Sequence, residues 1–235
     1  MNKREAMAIL RSHKNERGIA NWQRLGAPSG LKSLGIGLTE LRRIAKEIGR
    51  DHVLAGKLWN SDIYEARVMG LLIDDPKKIT RAQAEAQVED VHMGMLAHVF
   101  ATCDAALAKT PFVVDLAVEW IATGDAIRRE CGYGLLYELS KRKSKALEDS
   151  FFLPYIAQIE REIHDEENWV RSAMSGALMG IGKRNRALNK VALKAAKAIG
   201  PIDVDYGEDN NCQPIDIIKH LTSDYLKVKF AKERR

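Results

Sequence analysis

Signals that start and stop helices recur so often along this chain that few segments have room for more than a short helix. Thr39 opens the run ELRRIAKEI and Gly49 closes it, with Leu41, Ile44, Ala45 and Ile48 at helical apolar spacing. Asp74-Asp75-Pro76 stops the run 63–73. Thr80 caps the next helix, Pro111 sits in the first turn of another, and Asp125 caps a further one. The same reading predicts helices over 2–15, 52–59, 80–88, 90–104, 111–123, 125–143, 150–164, 168–182 and 185–199. The least regular stretch is 18–37, where GAPSG and GIG mark loops and IANWQRL has room for one short helix. Residues 203–206 are the one place that resembles a strand. Residues 214–221 read as a last short helix, and 227–235 is expected to fray.

Ten or more short helices in succession exclude most architectures. A four-helix bundle uses fewer and longer ones. Neighbouring pairs recur at roughly 35 to 40 residues, near the period of HEAT-type helical hairpins, which bury their apolar faces by stacking. Composition agrees. Ala, Leu, Lys, Glu and Arg dominate, aromatics are only 6%, and 46% hydrophobic residues suffice for a packed core. The expected fold is all-α, a single domain over 1–235 of HEAT-like helical repeats, with a concave face available for binding.

Thirty-seven Lys and Arg against 32 Asp and Glu leave a net charge of +5. That excess is too small to define a partner, so the location of the cations decides. From Asn168 to Gly200 there is no Asp or Glu, and these 33 residues carry Arg171, Lys183, Arg184, Arg186, Lys190, Lys194 and Lys197. Phosphate contact needs basic groups free of competing carboxylates. Lys183 and Arg184 would equally suit the negative end of a helix dipole. A second basic run is Lys141-Arg142-Lys143-Ser144-Lys145. A third, Arg42, Arg43 and Lys46, lies beside Glu40 and Glu47 and is expected to be paired internally.

Trp59 and Trp120 fall on apolar helix faces and are expected in the core, as are Tyr133 and Tyr137, although that pair could also line a cleft. Glu65, Asp115 and Glu119 have no evident partner. Cys103, Cys131 and Cys212 are far apart with no CxxC pair, so neither a zinc site nor a disulfide framework is signalled. The six histidines lack metal-ligand spacing, and there is no P-loop or dinucleotide fingerprint. No apolar run reaches the length of a membrane span, and the polar N-terminus lacks a signal core. The expectation is a cytoplasmic protein with no cofactor, no metal and no membrane partner.

Several segments resemble, in order, the DNA alkylation repair family, the AlkD-like proteins built of HEAT-like repeats. They are GIGLTELRRIAKEIGRDHVLAGKLWNSDIYEARVMGLLIDDP (Gly35 to Pro76), KTPFVVDLAVEWIATGD (Lys109 to Asp125) and ENWVRSAMSGALMGIGKRN (Glu167 to Asn185), the last continuing through Ile218. The resemblance implies a right-handed α-solenoid whose positively charged concave face wraps duplex DNA. Active members are glycosylases that remove N3- or N7-alkylated purines. They share a Trp-Asp-x-x-Asp segment, an Arg on the following helix pair and a later Trp. Here the first segment falls on Leu96-Ala97-His98-Val99-Phe100, the Arg on Arg129, and the later Trp on Gly176. Asp104 is the carboxylate that a slip of a few residues would bring into register. Losing the carboxylate that stabilises the sugar cation costs a few kcal/mol, roughly 100- to 1000-fold in rate.

The expected function is therefore sequence-independent recognition of damaged, bent or branched DNA. Its expected contacts are Arg129, Arg171, Lys183, Arg184, Arg186 and Lys190. For Arg129 the competing role is an ion pair with Glu130 or Asp125. The alternative functions are excision of alkylated purines at a rearranged site and a HEAT-type scaffold for protein partners.

Overall fold

A computed structural model describes residues 1–24, 30–92, 94–144, 147–207 and 212–232. The helices are α1 (Lys3–Ser12), α2 (Glu16–Arg24), α3 (Leu38–Ile48), α4 (His52–Trp59), α5 (Tyr64–Ile73), α6 (Arg81–Glu89) and α7 (Met95–Ala101). They continue with α8 (Val113–Ala122), α9 (Ala126–Ser140), α10 (Asp149–Glu162), α11 (Asn168–Gly182), α12 (Arg186–Ile199), α13 (Ile217–Leu221) and α14 (Asp224–Lys232). Among the described residues the β contacts are confined to one isolated bridge between Lys32 and Ile63. Side-chain caps punctuate the chain. Asn2 forms a capping box with Glu5, while Asp51, Thr80, Asp125 and Asn185 each accept a first-turn amide. The loop GAPSG lies, up to Gly30, outside the described residues.

The helices group into two compact units. The first spans Met1–Val113. Its centre is α5, packed on α3, α4 and α7 and buried almost all round. Glu65, at its start, is 1% exposed, yet its carboxylate has partners that sequence inspection missed. It accepts from Ser33 Oγ at 2.6 Å, Leu34 N at 2.8 Å and Ile36 N at 3.2 Å. A buried carboxylate held by three donors organises the irregular 33–36 loop. Gly35 follows with φ +72, its backbone so close to Gly18 that a Cβ on either would clash.

The second unit takes in Val114–Tyr206 and the C-terminal helices. Its most extensive packing joins α9 and α11, with α12 against α10 and α11, and α13 against α11 and α12. Trp120 and Tyr133 are buried here, as Trp59 is in the first unit.

Four local expectations change. Helix α3 starts at Leu38 on Gly37, so Thr39 is not its N-cap. The run 90–104 holds only α7. Gly94 (φ 101) delays the start, and Cys103 (φ 58) and Asp104 (φ 70) turn the chain left-handed just after the end. Residues 203–206 form no strand. Side chains of α11 take their hydrogen bonds instead: Asn168 Nδ2 donates to Asp205 O, Asp205 N donates to Asn168 Oδ1, both at 2.7 Å, and Arg171 donates to Asp203 O. Finally, α13 is not the last helix. Leu226 and Phe230, four residues apart, bury one face of α14 through Lys232 where fraying is expected.

Candidate nucleic-acid interface

The C-terminal ends of α9 and α11 lie side by side because Gly180 permits it. A Cβ there would fall 2.6 Å from both Ser140 Oγ and Tyr137 Cδ2. Each end leaves backbone carbonyls without an intrahelical partner. Arg184 reaches across from the turn after α11 and donates to Ser140 O at 2.9 Å and to the carbonyls of Arg142 and Leu147. Its guanidinium also lies 4.5 Å from the centre of the Phe152 ring. Lys229 of α14 caps the other end, donating to Lys183 O at 2.5 Å and Arg184 O at 3.2 Å. The two cations thus complement the negative ends of two helices.

Around these clips opens a pocket of about 610 Å³. Lys141, Arg142, Lys143, Lys183, Arg184 and Lys229 line it together with Tyr137 and Tyr225, and among the described residues no Asp or Glu lines it. Two basic runs forty residues apart in sequence, 141–143 and 183–184, are brought together; Lys145 lies outside the described residues. Burial pulls the Lys183 ammonium and the Arg142 guanidinium below their ordinary pKa values, as it does Arg184, where nearby Asp149 works against the shift. Such partly desolvated positive charges favour an anion. Lys141 is committed more locally, to Glu138 at 2.7 Å and to the Tyr137 ring at 4.0 Å. Lys143 is exposed.

The other expected contacts lie elsewhere. Arg186 and Lys190 are exposed one turn apart on α12, outside the pocket lining. Arg129 does not pair with Glu130 or Asp125. Its guanidinium meets the Glu166 carboxylate, with Glu162 at 3.8 Å. Arg171 donates to Glu166 O and Asp203 O, both at 3.0 Å. Both arginines therefore hold the turn before α11 in place. Tyr225 and Lys229 are the pocket residues that sequence reading missed. The spacing of Leu226 and Phe230 was the available signal that their segment is helical.

In the first unit, Leu96 and Phe100 are core residues, 2% and 0% exposed, with the Phe100 ring centre 6.1 Å from that of Trp59. Asp104 pairs with Arg42 at 3.3 Å in a pocket of about 350 Å³ shared with Lys46, Arg50 and Lys109. There Arg50 donates to Leu72 O and Asp74 O. Arg43 pairs with Glu40 and Glu47, as the sequence suggests. In the second unit, among the described residues a Cβ on Gly176 would meet only Ile215, at 4.0 Å. Among the described residues no helix is long and apolar enough to cross a membrane.

The succession of short packed helices defines an all-α protein, and its structural match places it in the HEAT-like repeat class. Its fold matches, with a TM-score of 0.81, 21% identity and coverage of 100% of this chain and 96% of the other, a solved structure described as a new family of proteins related to the HEAT-like repeat DNA glycosylases with affinity for branched DNA structures. The sequence pattern described as DNA alkylation repair enzyme matches residues 6–206, and the chain belongs to that family. Relatives include the Listeria innocua protein Lin0241, 23% identical over 90% of this chain and 92% of its own length. The Listeria monocytogenes protein Lmo0209 is 24% identical over the same shares. Both carry the description uncharacterized protein.

Proposed function

We propose that this protein binds DNA without sequence preference, recognising damaged, bent or branched forms through phosphate contacts on the basic face of its second unit. The observation that carries the reading is the pocket between the ends of α9 and α11, lined among the described residues by six cations and no carboxylate. Arg186 and Lys190 add two exposed cations on α12. Phosphate contacts of this kind are read by charge and spacing, not by base identity. Membership of the DNA alkylation repair family and the branched-DNA affinity of the structural neighbour support the same partner. Arg184 serves this face by shaping it, while Arg129 and Arg171 hold the turn before α11. Lys143, Lys183, Arg186 and Lys190 make the direct contacts.

Binding is favoured over base excision. The positions where glycosylases of the family carry Trp and Asp are Leu96 and Phe100, buried and apolar, and the nearby carboxylate, Asp104, is paired with Arg42. Fluorescence anisotropy at low salt with a labelled duplex and a labelled four-way junction tests the proposal. Nanomolar to micromolar binding that weakens steeply with salt is expected. Absence of binding to either DNA would overturn it. Release of 7-methylguanine from alkylated DNA, lost on Asp104→Asn, would replace the binder by an enzyme.

A further inference from the structure

We infer that the pocket between α9 and α11 takes an unpaired nucleotide of a DNA strand, its phosphate held by Lys143 and Lys183 and its base stacked on Tyr225. This rests on the DNA-binding reading and narrows it to a single-stranded segment at that site. Tyr225 is the most exposed large apolar side chain among the described residues, at 73%, yet it lines the pocket beside Lys229 and the 141–143 run. An aromatic ring so exposed on a helix whose Leu226 and Phe230 are buried contributes little to packing. Its face is available to a ligand.

The chemistry of the lining selects the ligand. Apart from Lys141, which Glu138 holds, no lining cation has an ion pair with a carboxylate among the described residues. Such cations attract a phosphate, and an adjoining aromatic face suits an unstacked base. The volume of about 610 Å³ accommodates a nucleotide and exceeds what a phosphate group needs. A paired base offers its face only to its neighbours in the stack, so a continuous duplex could present phosphates here but no base. Tyr137 does not compete as the platform, because Lys141 covers its ring at 4.0 Å. A forked or flapped DNA supplies both groups at once.

The test compares a labelled blunt duplex, the same duplex carrying a thymidine flap, and a thymidine oligomer, against native protein, Tyr225→Ala and Tyr225→Phe. The flap and the oligomer are expected to lose about tenfold in affinity with Tyr225→Ala and to keep native affinity with Tyr225→Phe, while the blunt duplex is unchanged. The side chain is exposed, so both variants fold. Equal loss on all three DNAs, no loss on any, or loss with Tyr225→Phe as well would overturn the stacking role. If native protein binds the duplex with no preference for the flap, this inference fails and the general DNA-binding reading stands. If it binds none of the three, both fail.

Discussion

Replacing Arg184 by Lys separates a cation that builds the interface from one that touches DNA. The Arg184 fork donates to the carbonyls of Ser140, Arg142 and Leu147 and stacks on Phe152 at 4.5 Å. A lysine keeps the charge but has one compact head group that cannot span three diverging carbonyls. Hydrogen bonds to charged groups contribute about 1.5–3 kcal/mol each when buried. Arg184 is only part-buried, so water re-pairs some of the freed carbonyls and roughly 1 kcal/mol per lost bond is the working figure. With the weakened ring contact, Arg184→Lys is expected to cost about 2–3 kcal/mol and Arg184→Ala slightly more. For a chain of this size that lowers the melting temperature by roughly 5–10 °C. Circular dichroism at the helix band measures the melt, and anisotropy on the folded variant at low temperature measures DNA affinity. A large shift in the melt and at most a modest loss of affinity are expected. An unchanged melt with a tenfold loss of DNA binding would show that Arg184 is a phosphate ligand and refute the clip.

Other perturbations sort the remaining residues. Lys143→Ala with Lys183→Ala should reduce the slope of log binding constant against log salt by about 0.9 for each phosphate contact removed, while the melt stays within a few degrees. An unchanged slope would exclude both as contacts. Glu166→Gln removes the nearest counter-charge of Arg129, whose side chain is 21% exposed, and should destabilise by roughly 2–4 kcal/mol in urea titration. Gly180→Ala forces a methyl against Tyr137 and Ser140 and should cost about 1–3 kcal/mol. Stability against acid should decline in two stages. Burial and neighbouring Lys183 lower the His220 pKa below 6.5, so the unfolded chain takes up its proton first and a shallow loss begins below that value. Burial would raise the Glu162 carboxyl, but Gln158, Arg161 and Arg129 outweigh it and hold the group below 4.5. Its contribution is present above that value and is lost as pH falls through the folded pKa, so the urea midpoint should drop more steeply there.

Local signals and tertiary ones divide this protein cleanly. Helices 52–59 and 168–182 have the bounds read from sequence, and Thr80 and Asp125 are the caps it names. Caps and apolar spacing act within one or two turns, so the sequence by itself determined the succession of short helices and with it the fold class. The segment 203–206 looked like a strand and forms none, because what satisfies its backbone is a distant choice. Here it is Asn168, 37 residues away, in place of a neighbouring strand. The roles of the cations were decided at the same range. Arg184 finds carbonyls 37, 42 and 44 residues back along the chain, and Arg129 finds Glu166 where its sequence neighbours were Glu130 and Asp125. An acid-free run announces that positive charge is present. Whether a given guanidinium is left for a ligand depends on which orphan carbonyls and carboxylates the packing of α9, α11 and α14 brings within about 3 Å of it, and only the tertiary structure sets those distances.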